Sequence, residues 1–235
     1  MSHRQFASMV VSCVVLAFGL AHAAEDSSDG EGWCRNGLFS EEGHDFAFYR
    51  VTADSSHLLM DRYSGDTRCP NAAVADCRWR EVVRRGDVVL ANKTAGRFIC
   101  AFLHNDAGFL PLSDVERSTR QPTKHPRPSA WAGRWGTEDM NISISVRGNR
   151  LHAIGEAYWP GKDYSPPPDG GPSRHEGEFE IDAVPSGNSA DFVDADDDCA
   201  VHAVLFATLL IVSDNSQCGG MNVRFEGVLS PYKRR

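Results

Sequence analysis

Residues 141–158 read Asn-Ile-Ser-Ile-Ser-Val-Arg-Gly-Asn-Arg-Leu-His-Ala-Ile-Gly-Glu-Ala-Tyr, and this stretch decides the fold class. Ile142, Ile144 and Val146 alternate with polar residues, the period of a strand with one buried face. Arg147-Gly148-Asn149 supplies turn chemistry, and Leu151–Tyr158 continues as the partner strand of a hairpin. Working outward, Glu178–Val184 repeats the alternation, with Phe179, Ile181 and Ala183 opposed to Glu178, Glu180 and Asp182. Met221–Val228 is expected to be another strand, with Val223 and Phe225 opposed to Asn222, Arg224 and Glu226. Ala200–Val212 (AVHAVLFATLLIV) is long enough for a buried helix or for two strands. Two strands are preferred, because Cys199 and Cys218 would then staple adjacent strand ends. The whole is expected to be all-β.

Upstream, Arg117–Ser129 (RSTRQPTKHPRPS) carries three prolines, four basic residues and no large apolar side chain. Proline lacks an amide donor and restricts the residue before it, so the segment is read as an extended interdomain linker over 117–130. It separates a β domain at 33–116 from an antiparallel barrel or sandwich at 131–235. Cys34, Cys69, Cys77 and Cys100 fall before the linker, Cys199 and Cys218 after it. Pairing within domains requires Cys199–Cys218; the short loop favours Cys69–Cys77, and Cys34–Cys100 follows by elimination.

At the amino end, Arg4 precedes an almost uninterrupted apolar run from Phe6 to Leu20, and Ala21-His22-Ala23 offers small residues at a cleavage site. The run is shorter than the ~20 residues a membrane-spanning helix needs. Residues 1–23 are therefore read as a secretory signal peptide, followed by a flexible acidic leader at 24–32. Six cysteines remain beyond it, an even number that suits disulfides in a periplasm or outside the cell. The expected localisation is periplasmic or secreted, with no transmembrane anchor.

Composition narrows the function. The chain of 235 residues holds 24 Lys+Arg against 32 Asp+Glu, a net charge of -8, which argues against a nucleic-acid partner. Residues 68–97 depart from this balance: Arg68, Arg78, Arg80, Arg84, Arg85, Lys93 and Arg97 face only Asp76, Glu81 and Asp87. Trp79 sits between Arg78 and Arg80. Guanidinium groups beside an aromatic ring suit recognition of carboxylates.

The segment Arg85–Glu116 resembles a bacterial SH3-like (SH3b) domain: Gly86-Asp87 opens a strand, Asn92–Gly96 leads into Arg97–Leu103, and Gly108-Phe109-Leu110 precedes a final apolar strand. Where that family usually has Gly-Trp, this chain has Gly108-Phe109. The resemblance implies a small barrel that binds cell-wall peptides or contacts proteins, and Tyr63, Trp79, Phe98, Phe102 and Phe109 are the aromatics available to it. Gly133-Arg-Trp135 looks like the opening strand of lipocalin-type barrels, and 209–227 is similar to the endings of secreted proteobacterial proteins with no known activity.

Other constellations carry less. Asp191, Asp194, Asp196, Asp197 and Asp198 lack the glycine and closing glutamate of an EF-hand loop. Glu176, Glu178 and Glu180 share one strand face. His44, His57, His104, His125, His152, His175 and His202 show no metal-ligand spacing, and no hydrolase or nucleotide-binding motif occurs. The sequence thus leads to an exported non-enzymatic binding protein without metal or cofactor. Its expected partner is a cell-wall component such as peptidoglycan peptide, or an envelope protein bound as binder or inhibitor. The candidate ligand-binding residues are Trp79, Arg78, Arg80, Arg97 and Phe109. A lipocalin-like carrier of a small molecule is the runner-up, and an envelope hydrolase comes behind it.

Overall fold

The computed structural model describes residues 32–38, 45–64, 66–137, 139–160 and 174–232. The expected signal peptide, and all but the last residue of the acidic leader, lie outside the described residues. What is described is all-β, with three antiparallel sheets and only short 3-10 turns.

The first sheet contains β1 (Ala47–Val51), β2 (Ser55–Leu59), β3 (Arg78–Arg84), β4 (Val88–Ala95), β5 (Phe98–Leu103), β6 (Asp106–Pro111) and β7 (Val115–Arg117). Their spatial order is β3-β2-β6-β5-β4-β1-β7. Strand period explains how both faces become apolar. Val51, Leu58, Val89, Ile99, Ala101 and Leu110 pack together on one side. Phe48, Leu90, Phe98, Cys100, Phe102 and Phe109 pack on the other. Strand β5 is buried on both faces, which is why its sequence, Phe-Ile-Cys-Ala-Phe-Leu, is apolar throughout.

The second half is a meander of β8 (Gly133–Gly136), β9 (Met140–Arg147), β10 (Arg150–Pro160), β11 (Arg174–Ala183), β12 (Ser189–Val193), β13 (Ala200–Phe206), β14 (Leu209–Asp214) and β15 (Gly227–Leu229). Strands β8–β11 form one sheet and β12–β15 the other. The two ends meet where the Gly136 amide donates to the Ser230 carbonyl at 2.9 Å and the Tyr232 amide to Arg134 at 2.7 Å. One core fills the space between the sheets, with Trp131, Trp135, Phe179, Phe192, Phe225 and Leu210 among its largest members. The Trp135 indole N–H donates to the Trp131 carbonyl at 2.9 Å, satisfying the polar end of one buried ring.

The hairpin expected from residues 141–158 is present, with Ile144 opposite Ala153 and Ile142 opposite Gly155. Residues 200–212 form two strands and no helix. All three expected disulfides form: Cys34–Cys100, Cys69–Cys77 and Cys199–Cys218. Met221–Val228 is the correction, since only Gly227–Leu229 is strand. The buried Asp214 carboxylate explains this. It accepts the Phe225 amide at 2.7 Å and the Arg224 guanidinium at 2.8 Å, drawing the backbone out of a ladder, while Asn222 takes a positive φ of 65°. Val223 and Phe225 are buried as the alternation demands, but Glu226 is buried too, beside the Arg224 guanidinium.

The two halves pack against each other. Phe206, Ile211 and Val228, on the outer face of the second half, join the Phe48 side of the first sheet, with the Phe48 and Phe206 rings 5.1 Å apart. A strap formed by the segment Gly32–Leu38 spans the junction. Cys34 is tied to β5 by its disulfide and donates its amide to Asp61 at 3.0 Å. The Asn36 side chain pairs with Val228, accepting its amide at 2.7 Å and donating to its carbonyl at 3.1 Å, much as a neighbouring strand would. Gly227 makes this approach possible: at φ +119°, a Cβ there would stand 2.6 Å from the Asn36 carbonyl oxygen.

Candidate functional site

Strand β3 is an edge strand, paired only with β2. Its register against β2 jumps from Leu59 opposite Arg78 to His57 opposite Val82, so Trp79, Arg80 and Glu81 bulge outward opposite Leu58. A bulge re-aims side chains and blunts an open sheet edge, and charged residues do the same. Trp79 emerges 38% exposed, with Arg78 and Arg80 exposed on either side. The Trp79 carbonyl lies 3.2 Å from Nδ1 of His57, anchoring the backbone beneath the ring.

The basic residues of 68–97 divide by what already holds them. The Arg78 guanidinium donates twice to the Ala72 carbonyl, at 3.1 and 2.9 Å, and so braces the Cys69–Cys77 loop. Arg68 donates to Asp66 at 2.9 and 2.6 Å. Hydrogen bonds from the Arg68 side chain and backbone hold the Asp66 carboxyl down at about 2, against an ordinary value of 3.8. Arg85 pairs with Asp54 at 2.9 Å. Among the described residues, Arg80 forms no side-chain hydrogen bond or ion pair, and it stands next to Trp79. The usable part of the strip is therefore small: the Trp79 ring and the uncommitted Arg80 guanidinium, with Arg78 holding the floor.

Two expected members are placed elsewhere. Arg97 precedes β5, separated from β3 by β2 and β6, about 14 Å away at ~4.8 Å per strand, and its guanidinium lies 5.8 Å from the Phe98 ring. Phe109 is fully buried in the core beside Phe98, so it presents no ring to a ligand. Phe98 and Phe102 are likewise core. Tyr63, 55% exposed, does reach the surface, where its ring stacks on Trp33 at 4.1 Å while Arg35 lies over the Trp33 ring at 3.8 Å. The sequence reading missed this stack, because its partners are thirty residues apart and Cys34 and Asp61 bring them together only after folding.

In the second half, Glu176, Glu178 and Glu180 do share one face of β11, and Glu178 stands directly opposite Glu156. With Asp194 and Asp197 they border an open depression of about 730 Å³. No group of side chains there, or elsewhere among the described residues, has a metal-binding arrangement. His152 places Nδ1 2.8 Å from Asp182 and Nε2 3.3 Å from Glu180, so both nitrogens face carboxylates. His202 places Nδ1 2.5 Å from Asp191 and has Ser213 opposite it on β14, without a hydrogen bond between them. Neither histidine thus joins a carboxylate to a serine hydroxyl in the relay of a Ser-His-Asp hydrolase. No helix among the described residues is long and apolar enough to cross a membrane. Comparison with protein-family models, with curated proteins and with solved structures gives no match.

Proposed function

We propose that this is an exported, non-enzymatic binding protein of a bacterial envelope, and that Trp79 and Arg80 on the bulged edge of β3 contact an anionic ligand, peptidoglycan stem peptide first among the candidates. The observation that carries the reading is an exposed tryptophan beside an arginine with no side-chain partner among the described residues, on a strand whose backbone is pinned by His57 and Arg78. Aromatic and arginine side chains held rigidly at a surface supply most of the energy in small binding patches. The three disulfides support an oxidising compartment. The core between the sheets of the second half is occupied by large side chains, which favours a binder over a carrier with an internal cavity.

The test is sedimentation of the chain from Ala24 onward with purified peptidoglycan, at low and at high salt. Trp79→Ala and Arg80→Ala should each weaken binding by at least ~10-fold, about 1.4 kcal/mol. Added salt should weaken the wild type, because charges at a surface are screened beyond ~8–10 Å. Wild-type binding that survives both substitutions and high salt would remove the strip from consideration. Binding to an envelope protein in place of peptidoglycan, lost in the same variants, would keep the site and change its partner.

A further inference from the structure

The outer face of the β12–β15 sheet carries two adjoining rows of different character. Cross-strand register places Ser189, Val204, Ile211 and Val228 in one row, and Asp191, His202 and Ser213 in the next. The first row leads into the junction with the first half, where the Phe46 ring meets Phe206 edge-on at 6.2 Å. Between Phe46 and strands β13 and β14 lies a groove of about 440 Å³. Phe46, Val204, Phe206 and Ile211 line its apolar part, with Asn188 beside Leu205, and the cross-strand pair His202 and Ser213 forms its polar end. Binding sites for small molecules occur preferentially at domain junctions, in clefts of about 300–1,000 Å³ with a few polar groups at one end.

The polar end is built to accept hydrogen bonds and positive charge. Asp191, next to the lining rather than in it, places a carboxylate 2.5 Å from His202, and that carboxylate is mostly exposed. The Ser213 hydroxyl adds another acceptor. Among the described residues, no lysine or arginine lines the groove. A ligand carboxylate would meet Asp191 as a like charge, whereas an ammonium would meet it as an opposite one. We infer that the junction groove binds a small amphipathic amine, its apolar body against Phe46, Val204, Phe206 and Ile211 and its ammonium toward Asp191, His202 and Ser213. The site is separate from Trp79, so either can fail without the other.

Two probes with one fluorophore and opposite charge test this: dansylcadaverine, which carries an ammonium, and dansylglycine, which carries a carboxylate. Titrated into the chain from Ala24 onward, dansylcadaverine should give saturable, blue-shifted emission at one site and bind at least ~10-fold tighter than dansylglycine, the size expected of one charge-assisted contact. Val204→Trp and Ser213→Trp, at two half-buried positions that fill the groove from opposite ends, should each abolish the signal. Asp191→Asn should erase the preference for the amine while keeping some binding of both probes. Absence of saturable binding, equal binding of the two probes by the wild type, or binding that persists in both groove-filling variants would overturn the proposal. The last result would place the amine on the acidic depression beside Glu178.

Discussion

Asp66 and Arg68 form a contact whose strength can be read by pH. The Asp66 carboxyl is held at about 2 in the folded chain, below its ordinary 3.8, by the hydrogen bonds from Arg68. A carboxyl with a depressed folded value favours the folded state above pH 3.8, and that contribution disappears as pH falls toward 2. NMR titration should find Asp66 still ionised at pH 3, and Arg68→Ala should return it to the ordinary range; the pair is exposed enough that stability near neutral pH should hardly change. Gly155 is a second residue with a sharp consequence. A Cβ there would sit 2.1 Å from the Phe179 ring, which is packed against Phe225 at 4.8 Å and has little room to move. Gly155→Ala should therefore lower stability by roughly 1–3 kcal/mol in a denaturant melt, while a surface change such as Ser145→Ala should be nearly silent.

The elements show where local pattern is enough and where it fails. Asp214 closes β14 and holds the irregular segment before β15 through the Phe225 amide and the Arg224 guanidinium. Asp214→Ala would leave the buried Phe225 amide without its acceptor and take from the Arg224 guanidinium one of its two carboxylates. A loss of about 3 kcal/mol is expected, with faster hydrogen exchange at Phe225 and Val228; unchanged exchange would show that the Cys199–Cys218 bridge alone orders the segment. The β9–β10 hairpin was legible because period-two alternation and a Gly-Asn turn are local signals. The three cystines were legible because an even count on each side of a proline-rich break leaves few pairings. The segment 221–226 was not, since its alternation is real in burial but its hydrogen bonds go to a carboxylate seven or more residues away. Phe109 was misplaced for a related reason: a Gly-aromatic pair reads the same whether the ring faces solvent or, as here, a core that includes residues of the second half of the chain.

At the scale of the molecule, two β bodies are joined by an apolar junction and by a strap that is disulfide-linked to one body and hydrogen-bonded to the other. Little of this was visible in sequence, because Phe46, Phe48, Phe206 and Val228 each look like ordinary strand residues until the two sheets meet. The junction leaves the edge of β3 on the surface, and Trp79 is where the binding account is most exposed to test. The chain holds five tryptophans, Trp33, Trp79, Trp131, Trp135 and Trp159, and their indole N–H signals can be followed separately by NMR. On titration with soluble peptidoglycan stem peptide, the Trp79 indole signal should move in a saturable way, the buried Trp131 and Trp135 signals should stay fixed, and Arg80→Ala should suppress the Trp79 response. A ligand that binds while the Trp79 signal remains still would contradict the account.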